Sequence, residues 1–243
     1  MSDKIRLDIL ILGKYPELSR NKIQNLIAQG AVKSRNEVLK KAGMQVPADF
    51  DFEIDFSVQK YVGRGGYKLE KALQEFKIDV SGLICLDCGV STGGFSDCLL
   101  QSGASKVYGV DVGIGQTNSK LVEDPRFVLI EKTNLKELQS LPQKVDLVTL
   151  DLSFISLLKV LSAVVNLMTN DGKIIALIKP QFELERNELS RGGVVRDKRL
   201  HQKVIKKIEE GVKVFGLEVK QIIDSPIFGS DGNKEFLALI EKK

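Results

Sequence analysis

Histidine occurs once in this chain, as His201, and cysteine three times, as Cys85, Cys88 and Cys98. A single histidine argues against a His-dependent catalytic triad and against a His-rich metal site, so no metal is expected. Three cysteines without ligand-rich surroundings exclude a disulfide scaffold as the organising principle. No apolar run reaches the ~20 residues that span a bilayer, so no membrane partner is expected. No basic-then-apolar signal segment opens the chain, which reads as cytoplasmic. A strong charge of one sign is also missing: Lys plus Arg number 36 and Asp plus Glu 32, a net +4. That balance permits a nucleic-acid partner without requiring one. What is present, 43% hydrophobic and 28% charged residues over 243 positions, can build a core and argues against disorder. The length suits one large domain, or a medium domain with a small appendage.

The charge is unevenly spread. Residues 1–41 hold nine Lys/Arg against four acids, and residues 42–58 hold four acids and no base. Within this first segment Ile5, Ile9, Leu10 and Leu12 suggest a short amphipathic helix. Ser19 is a good N-cap for a second, with Ile23, Leu26 and Ile27 at helical spacing and Gly30 as the stop. Strand-like pieces follow around 31–32, 37–39 and 52–56. Such a unit has a marginal core. Residues 1–56 thus read as one small α+β domain, 57–62 as a linker and 63–243 as a second domain. Arg64-Gly65-Gly66 reads as a loop, followed by a helix over 67–76.

From residue 83 short apolar runs (83–87, 107–112, 127–130, 145–150, 174–178) alternate with helical patterns near 94–102, 115–122, 134–140 and 156–168. A long helix near 198–215 and strands near 218–223 and 234–240 follow. Apolar strands separated by helices indicate an α/β fold, a mostly parallel sheet covered on both faces. The loop 183–197, long and polar with two glycines and three arginines, is of a length that is often functional.

The first run of this second domain ends in Asp87-Cys88-Gly89-Val90-Ser91-Thr92-Gly93-Gly94-Phe95. A strand entering a glycine-rich turn and then a helix is the nucleotide site of doubly wound sheets. The spacing matches neither G-x-G-x-x-G nor the P-loop, and no lysine stands in the turn for a triphosphate. Asp87 ahead of the turn suits a cationic ligand, and Asp111, at the next strand end, can take both hydroxyls of a ribose. Acid, glycine turn and second acid form the pattern expected for S-adenosylmethionine. A tight turn with no ligand is the plainer alternative.

The next strand ends in Asp151-Leu152-Ser153-Phe154, without the prolines that amino-group methyltransferases place there. The cysteines belong to the first strand, its turn and its helix, and read as packing residues rather than nucleophiles. Lys179 closes an apolar strand on the same edge, Lys68 stands on the preceding helix, and Glu235 in the final strand. Methylating a ribose 2′-hydroxyl needs a base for a very weak acid, and a lysine serves if its surroundings lower its pKa. Carboxylates would orient it, and a second lysine would stabilise a developing alkoxide.

Over almost its whole length the chain resembles the TlyA (hemolysin A) family. The resemblance is carried by Arg6-Leu7-Asp8, Ser19-Arg20-Asn21-Lys22, Tyr61 to Leu69, Ser91 to Phe95, Asp151 to Ser156, Lys179 to Glu183, Gly192 to Asp197 and Gly232 to Phe236. It implies an N-terminal S4-like RNA-binding domain joined to an FtsJ-like, Rossmann-type methyltransferase. The implied activity is 2′-O-methylation of ribosomal RNA, at a cytidine ribose. The resemblance assigns Lys68, Asp151, Lys179 and Glu235 to a catalytic tetrad. It assigns Asp87, Gly89, Ser91, Gly93, Phe95, Asp111, Asn134 and Asp151 to the cofactor pocket. Arg6, Arg20, Lys22, Lys33, Arg35, Arg64 and Arg191 are the candidates for gripping RNA phosphates, against solvated surface charge as the plain alternative. A cytolysin, or an RNA-binding module without catalysis, are the competing functions. The modified nucleotide, the ribosomal subunit and the oligomeric state are open at this point.

Overall fold

The computed structural model describes residues 4–56, 60–189, 192–229 and 231–243. The chain packs as two units, Met1–Val62 and Gly63–Lys243.

In the first unit, β1 (Lys4–Arg6) leads into α1 (Leu7–Lys14) and α2 (Arg20–Ala28), followed by β2 (Val32–Ser34), β3 (Glu37–Val38), β4 (Gln45–Pro47) and β5 (Glu53–Ile54). Ser19 caps α2 as its type suggests, its Oγ accepting the Lys22 N–H at 3.2 Å. Leu7, Ile11, Ile23, Leu26 and Ile27 are almost completely buried between the two helices and the small sheets. The helix expected from Ile5 begins instead at Leu7, because Lys4–Arg6 pairs with Gln45–Pro47 as an antiparallel ribbon. A three-residue strand held by a partner forty residues away leaves no local periodicity to read. Arg35 and Asn36, at φ 47° and 69°, close the β2–β3 hairpin as a two-residue turn.

In the second unit, α3 (Gly65–Glu75) precedes β6 (Ile84–Cys88), α4 (Gly94–Gln101), β7 (Lys106–Val110), α5 (Ser119–Val122), β8 (Phe127–Ile130), β9 (Val145–Leu150) and α6 (Leu161–Leu167). Then come β10 (Met168–Ile178), α7 (Pro180–Glu183), α8 (Lys198–Gly211), β11 (Leu217–Asp224) and β12 (Phe236–Lys242). Among the described residues the strands form one sheet in the order β11-β12-β10-β9-β6-β7-β8. β8, β7, β6, β9 and β10 run parallel, and β12 is antiparallel to both β10 and β11. The α/β expectation thus holds, with an antiparallel pair closing one side. The expected helices near 115–122 and 134–140 shrink to α5 and a 3₁₀ turn over Leu135–Glu137. Gly113 and Gly115 leave the start of the first without helical support.

α3 also starts earlier than the sequence suggests, at Gly65 rather than after a loop. The reason is contact between glycines. A Cβ on Gly94 would lie 2.9 Å from the Gly66 nitrogen and 3.0 Å from the Gly63 carbonyl, so α3 and α4 meet backbone to backbone at their first turns. On the other face of the sheet Leu161, Val164, Val204 and Ile208 are fully buried against Val148, Leu150, Ile174 and Ala176. Truncating one such leucine to alanine typically costs about 2–5 kcal/mol. The order of strands reverses beside β6, whose neighbours are β7 and β9. Ligands of open α/β sheets bind at such a reversal, outside the carboxyl ends of the strands.

Candidate active site

Gly89 leaves β6 at φ 88°, and a Cβ there would stand 2.5 Å from the Asp151 carbonyl oxygen. Only glycine lets the ends of β6 and β9 close up so tightly, and the Asp151 N–H donates to the Cys88 carbonyl at 3.0 Å. Ser91, also left-handed at φ 49°, donates its N–H to Asp111 Oδ2 at 2.7 Å. The other Asp111 oxygen accepts the Gly113 N–H, again at 2.7 Å. One carboxylate therefore ties the glycine turn to the loop after β7. These segments wall a cavity of about 470 Å³, with Gly89, Ser91, Asp111, Asn134 and Asp151 on its surface.

Three residues assigned to the pocket are not among those that line this cavity. Asp87 is completely buried, its two oxygens accepting from Ser96 Oγ at 2.6 Å and Thr149 Oγ at 2.8 Å. Burial pushes its carboxyl up to about 6, against the two hydroxyl bonds that lower it. Gly93 serves packing, since a Cβ there would come within 2.1 Å of Leu121 Cδ1. Phe95 is buried, and its ring lies 2.9 Å from where Gly65 would carry a Cβ. All three follow strand or turn positions that lead toward a ligand, but the side chains of Asp87 and Phe95 are buried. The wall instead includes Gln116, Thr133, Leu152 and Ser153, which no motif of the sequence singled out as ligand contacts.

The tetrad candidates gather through sheet register. β10 and β12 pair Ile178 with Phe236, so the next positions outward are Lys179 and Glu235. β9 ends beside β10, and Asp151 follows it directly. Lys179 Nζ lies 2.7 Å from Asp151 Oδ1 and donates to Ser153 Oγ at 2.9 Å. Lys68, on the buried face of α3, donates to Glu235 Oε2 at 2.6 Å. The described contacts thus join the four charges as two lysine–carboxylate pairs at the same sheet edge. The lysine side chains are only 10% and 11% exposed, so these are sheltered pairs rather than surface ones. Behind them Glu183 accepts from Ser156 Oγ at 2.6 Å and from the Leu157 N–H at 2.7 Å, bracing the segment after β9.

Phe154 closes the Asp151-Leu152-Ser153-Phe154 stretch. Its side chain is 91% exposed and its φ is 63°, a costly conformation for an aromatic residue. Its ring tilts over Phe182 at a centroid distance of 5.0 Å. An exposed aromatic face held under strain beside Ser153 is suited to stacking on an unpaired base.

All three cysteines are buried. Burial pushes Cys85 up to about 12 and Cys88 well above its ordinary value, so both are thiols unsuited to nucleophilic work. Among the described residues no group of three or more His, Cys, Asp or Glu side chains is placed to hold a metal ion.

Of the phosphate-gripping candidates, Arg6 and Arg20 converge on Asp8. Arg6 Nε and Nη2 donate to its two oxygens at 2.9 Å each, and Arg20 Nε donates to Oδ2 at 3.2 Å. The two guanidinium groups remain 42% and 48% exposed. Arg35 is exposed on the hairpin turn, Lys33 and Lys22 are half-buried, and Arg64 stands at the start of α3. Arg191 lies outside the described residues.

The model of the FtsJ-like methyltransferase family matches residues 61–242. The chain is 39% identical over 242 residues to the provisionally named rRNA methyltransferase YqxC of Bacillus subtilis, covering 97% of this chain and 85% of that one. It is 37% identical over 246 residues to the 16S/23S rRNA (cytidine-2′-O)-methyltransferase TlyA of Mycobacterium tuberculosis, covering 97% and 89%. A solved structure of a provisionally named hemolysin from Streptococcus thermophilus superposes with a TM-score of 0.77 at 35% identity, over all of this chain and 90% of that one.

Proposed function

The chain belongs to the FtsJ-like methyltransferase family, and from that premise we propose that it methylates the ribose 2′-hydroxyl of a cytidine in ribosomal RNA. Support for the acceptor comes from the relatives, named as rRNA or cytidine-2′-O methyltransferases. Support for the chemistry comes from one observation above all: two sheltered lysine–carboxylate pairs at a single sheet edge, one of which adjoins the cavity through Asp151.

The cavity fits S-adenosylmethionine by its donor set. Asp111 stands at the second strand end, where a ribose diol binds, with Val110, Val112 and Leu135 offering apolar wall to a purine. Asp151, also on the wall, would offer a carboxylate to the positive charge of that cofactor. When bound, this cofactor supplies an electrophilic methyl group on sulfur. The chain's own residues do the rest. Acting as the free amine, Lys179 Nζ, fixed by Asp151 and Ser153, takes the proton that leaves the 2′-hydroxyl. Lys68, fixed by Glu235, stabilises negative charge developing on that oxygen. Phe154 offers its exposed ring to the base of the target nucleotide. Residues 1–56 act as the S4-like RNA-binding domain, with 57–62 as the linker. Arg6, Arg20, Lys22, Lys33 and Arg35 grip phosphates there, and Arg64 and Arg191 do so on the methyltransferase domain. Residues 57–59 of that linker lie outside the described residues. The cytoplasm, where ribosomes are assembled, is the compartment this reading implies.

Incubating the protein with ribosomal subunits and methyl-labelled cofactor tests the proposal. Label recovered in alkali-resistant dinucleotides is expected, because a 2′-O-methyl group blocks cleavage of its own linkage. Label confined to the bases would overturn the 2′-O assignment.

A further inference from the structure

Two segments of the resemblance, Gly192 to Asp197 and Gly232 to Phe236, stand outside the lysine–carboxylate pairs except for Glu235. The structure joins them. Asn233 is almost completely buried, its Oδ1 accepting the Val195 N–H at 2.8 Å and its Nδ2 donating to the Gly193 carbonyl at 3.2 Å. Glu235 and Phe236 are successive residues entering a strand, so their side chains leave by opposite faces. Glu235 meets Lys68, while the Phe236 ring meets the His201 ring edge-on at 5.5 Å. On the Phe236 side, between the start of α8 and the end of β11, lies a second cavity of about 580 Å³. It opens at the same sheet edge as the lysine–carboxylate pairs.

Three observations mark it as built for a ligand. The first is His201, which lines the cavity and is only 6% exposed. Its Nε2 lies 3.0 Å from the Val195 carbonyl. A carbonyl only accepts, so Nε2 carries the hydrogen, and in the neutral ring Nδ1 keeps a free lone pair. That nitrogen makes no hydrogen bond among the described residues. The second is charge. Arg196 and Lys198 line the cavity and Arg199 adjoins it, and none of the three has an ion pair among the described residues. Lys198 and Arg199 occupy the first turn of α8, which holds no acid, so they oppose the helix dipole and one another. The nearby acids are otherwise engaged: Asp197 accepts the Arg199 N–H at 2.8 Å as the cap, and Asp224 pairs with Lys234 at 2.8 Å. The third is Phe228, an aromatic side chain left 63% exposed on the cavity wall.

A deep hydrogen-bond acceptor, an open aromatic face and unpaired cations at the rim are the three chemistries of a nucleotide. We propose that this cavity is a second RNA subsite, taking a nucleotide other than the methylated one. Its base stacks on Phe228 and donates an amino hydrogen to His201 Nδ1, and its phosphate lies on Arg196 and Lys198. The subsite rests on the RNA-methylation reading and deepens it: it gives the enzyme a way to recognise sequence or shape near the target.

His201 is the only histidine, so its ring nitrogens give a unique signal in a ¹H–¹⁵N long-range spectrum of the full-length protein. Cytidine and adenosine 5′-monophosphate, added in turn, are expected to move the Nδ1 signal saturably in the parent protein and not in Phe228→Ala. No movement at millimolar nucleotide, or equal movement with inorganic phosphate alone, overturns the proposal, the latter leaving only an anion site. In methyl transfer, Phe228→Ala and the pair Arg196→Ala/Lys198→Ala are expected to raise KM for ribosomal RNA about tenfold, with kcat and cofactor affinity unchanged. An unchanged KM in both variants, with the parent active, overturns the subsite while the methylation reading stands. A parent that methylates no ribosomal RNA overturns the methylation reading instead, and the titration still decides what the cavity takes.

Discussion

Asp8 in the first unit and Asp87 in the second are both sealed from solvent, yet their surroundings drive them in opposite directions. Asp8 is sealed by its own partners rather than by a deep core: Arg6 foremost, then Gln24 and Arg20, hold its carboxyl far below the usual range. Asp87 lies in the sheet interior, and burial pushes it up to about 6 although two hydroxyls and the Ser96 backbone N–H donate to it. The contrast separates two ways of using charge. The small unit, with few core residues to spend on stability, uses a permanent anion to hold two half-exposed guanidinium groups in fixed positions. The large unit has a core sufficient to shelter ionisable groups, and it keeps its lysine–carboxylate pairs out of solvent at the edge where ligands bind. On the proposed function, one unit holds an outside anion and the other moves a proton within.

If that division is right, variants in the two units should fail differently. Lys179→Ala should reduce kcat by about 10²–10⁴, the usual range for a proton-transfer group, with RNA affinity unchanged in a filter-binding assay. A weakened RNA complex with normal turnover would erase the distinction. Gly89→Ala should cost at least about 2 kcal/mol, from left-handed strain and from contact with the Asp151 carbonyl, and should abolish cofactor binding in calorimetry. Asp8→Ala should cost about 1–3 kcal/mol, read as faster amide exchange confined to the first unit. It should also raise KM for RNA while leaving cofactor affinity alone.

A further effect is the pH dependence of Asp87. Between its ordinary 3.8 and its folded value of about 6, the folded state binds a proton that the unfolded state has lost. Stability on its account therefore falls as the pH rises through that window. Relative to Asp87→Asn, the parent should gain on the order of 2–3 kcal/mol as the pH is lowered from about 7 to about 4. A melting-temperature difference that stays flat across this range would mean that Asp87 is not held as described.

Much of this was legible in the sequence, for identifiable reasons. The run 174–178 lacks polar residues because the strand it forms is covered on both faces, so its position could be read directly. Ser19 and Gly30 marked the ends of α2 because capping is local chemistry. The strands 4–6 and 45–47 could not be read, since each is three residues long and defined only by its partner. Sequence order located the glycine turn but could not say which groups line the cavity, and Asp87, Gly93 and Phe95 are not among those that do. Phe154 left one further trace that only coordinates reveal: a strained, left-handed backbone under an aromatic side chain.

The account stands or falls on Lys68, Asp151, Lys179 and Glu235 acting on one oxygen atom as a unit. Single-turnover methyl transfer to ribosomal RNA should be measured for Lys68→Ala, for Lys179→Ala and for the double variant, with cofactor binding checked in each. Residues that act together give strongly sub-additive losses, so the double variant should be little slower than the worse single one. Losses that multiply, or a single variant with full activity, would contradict it.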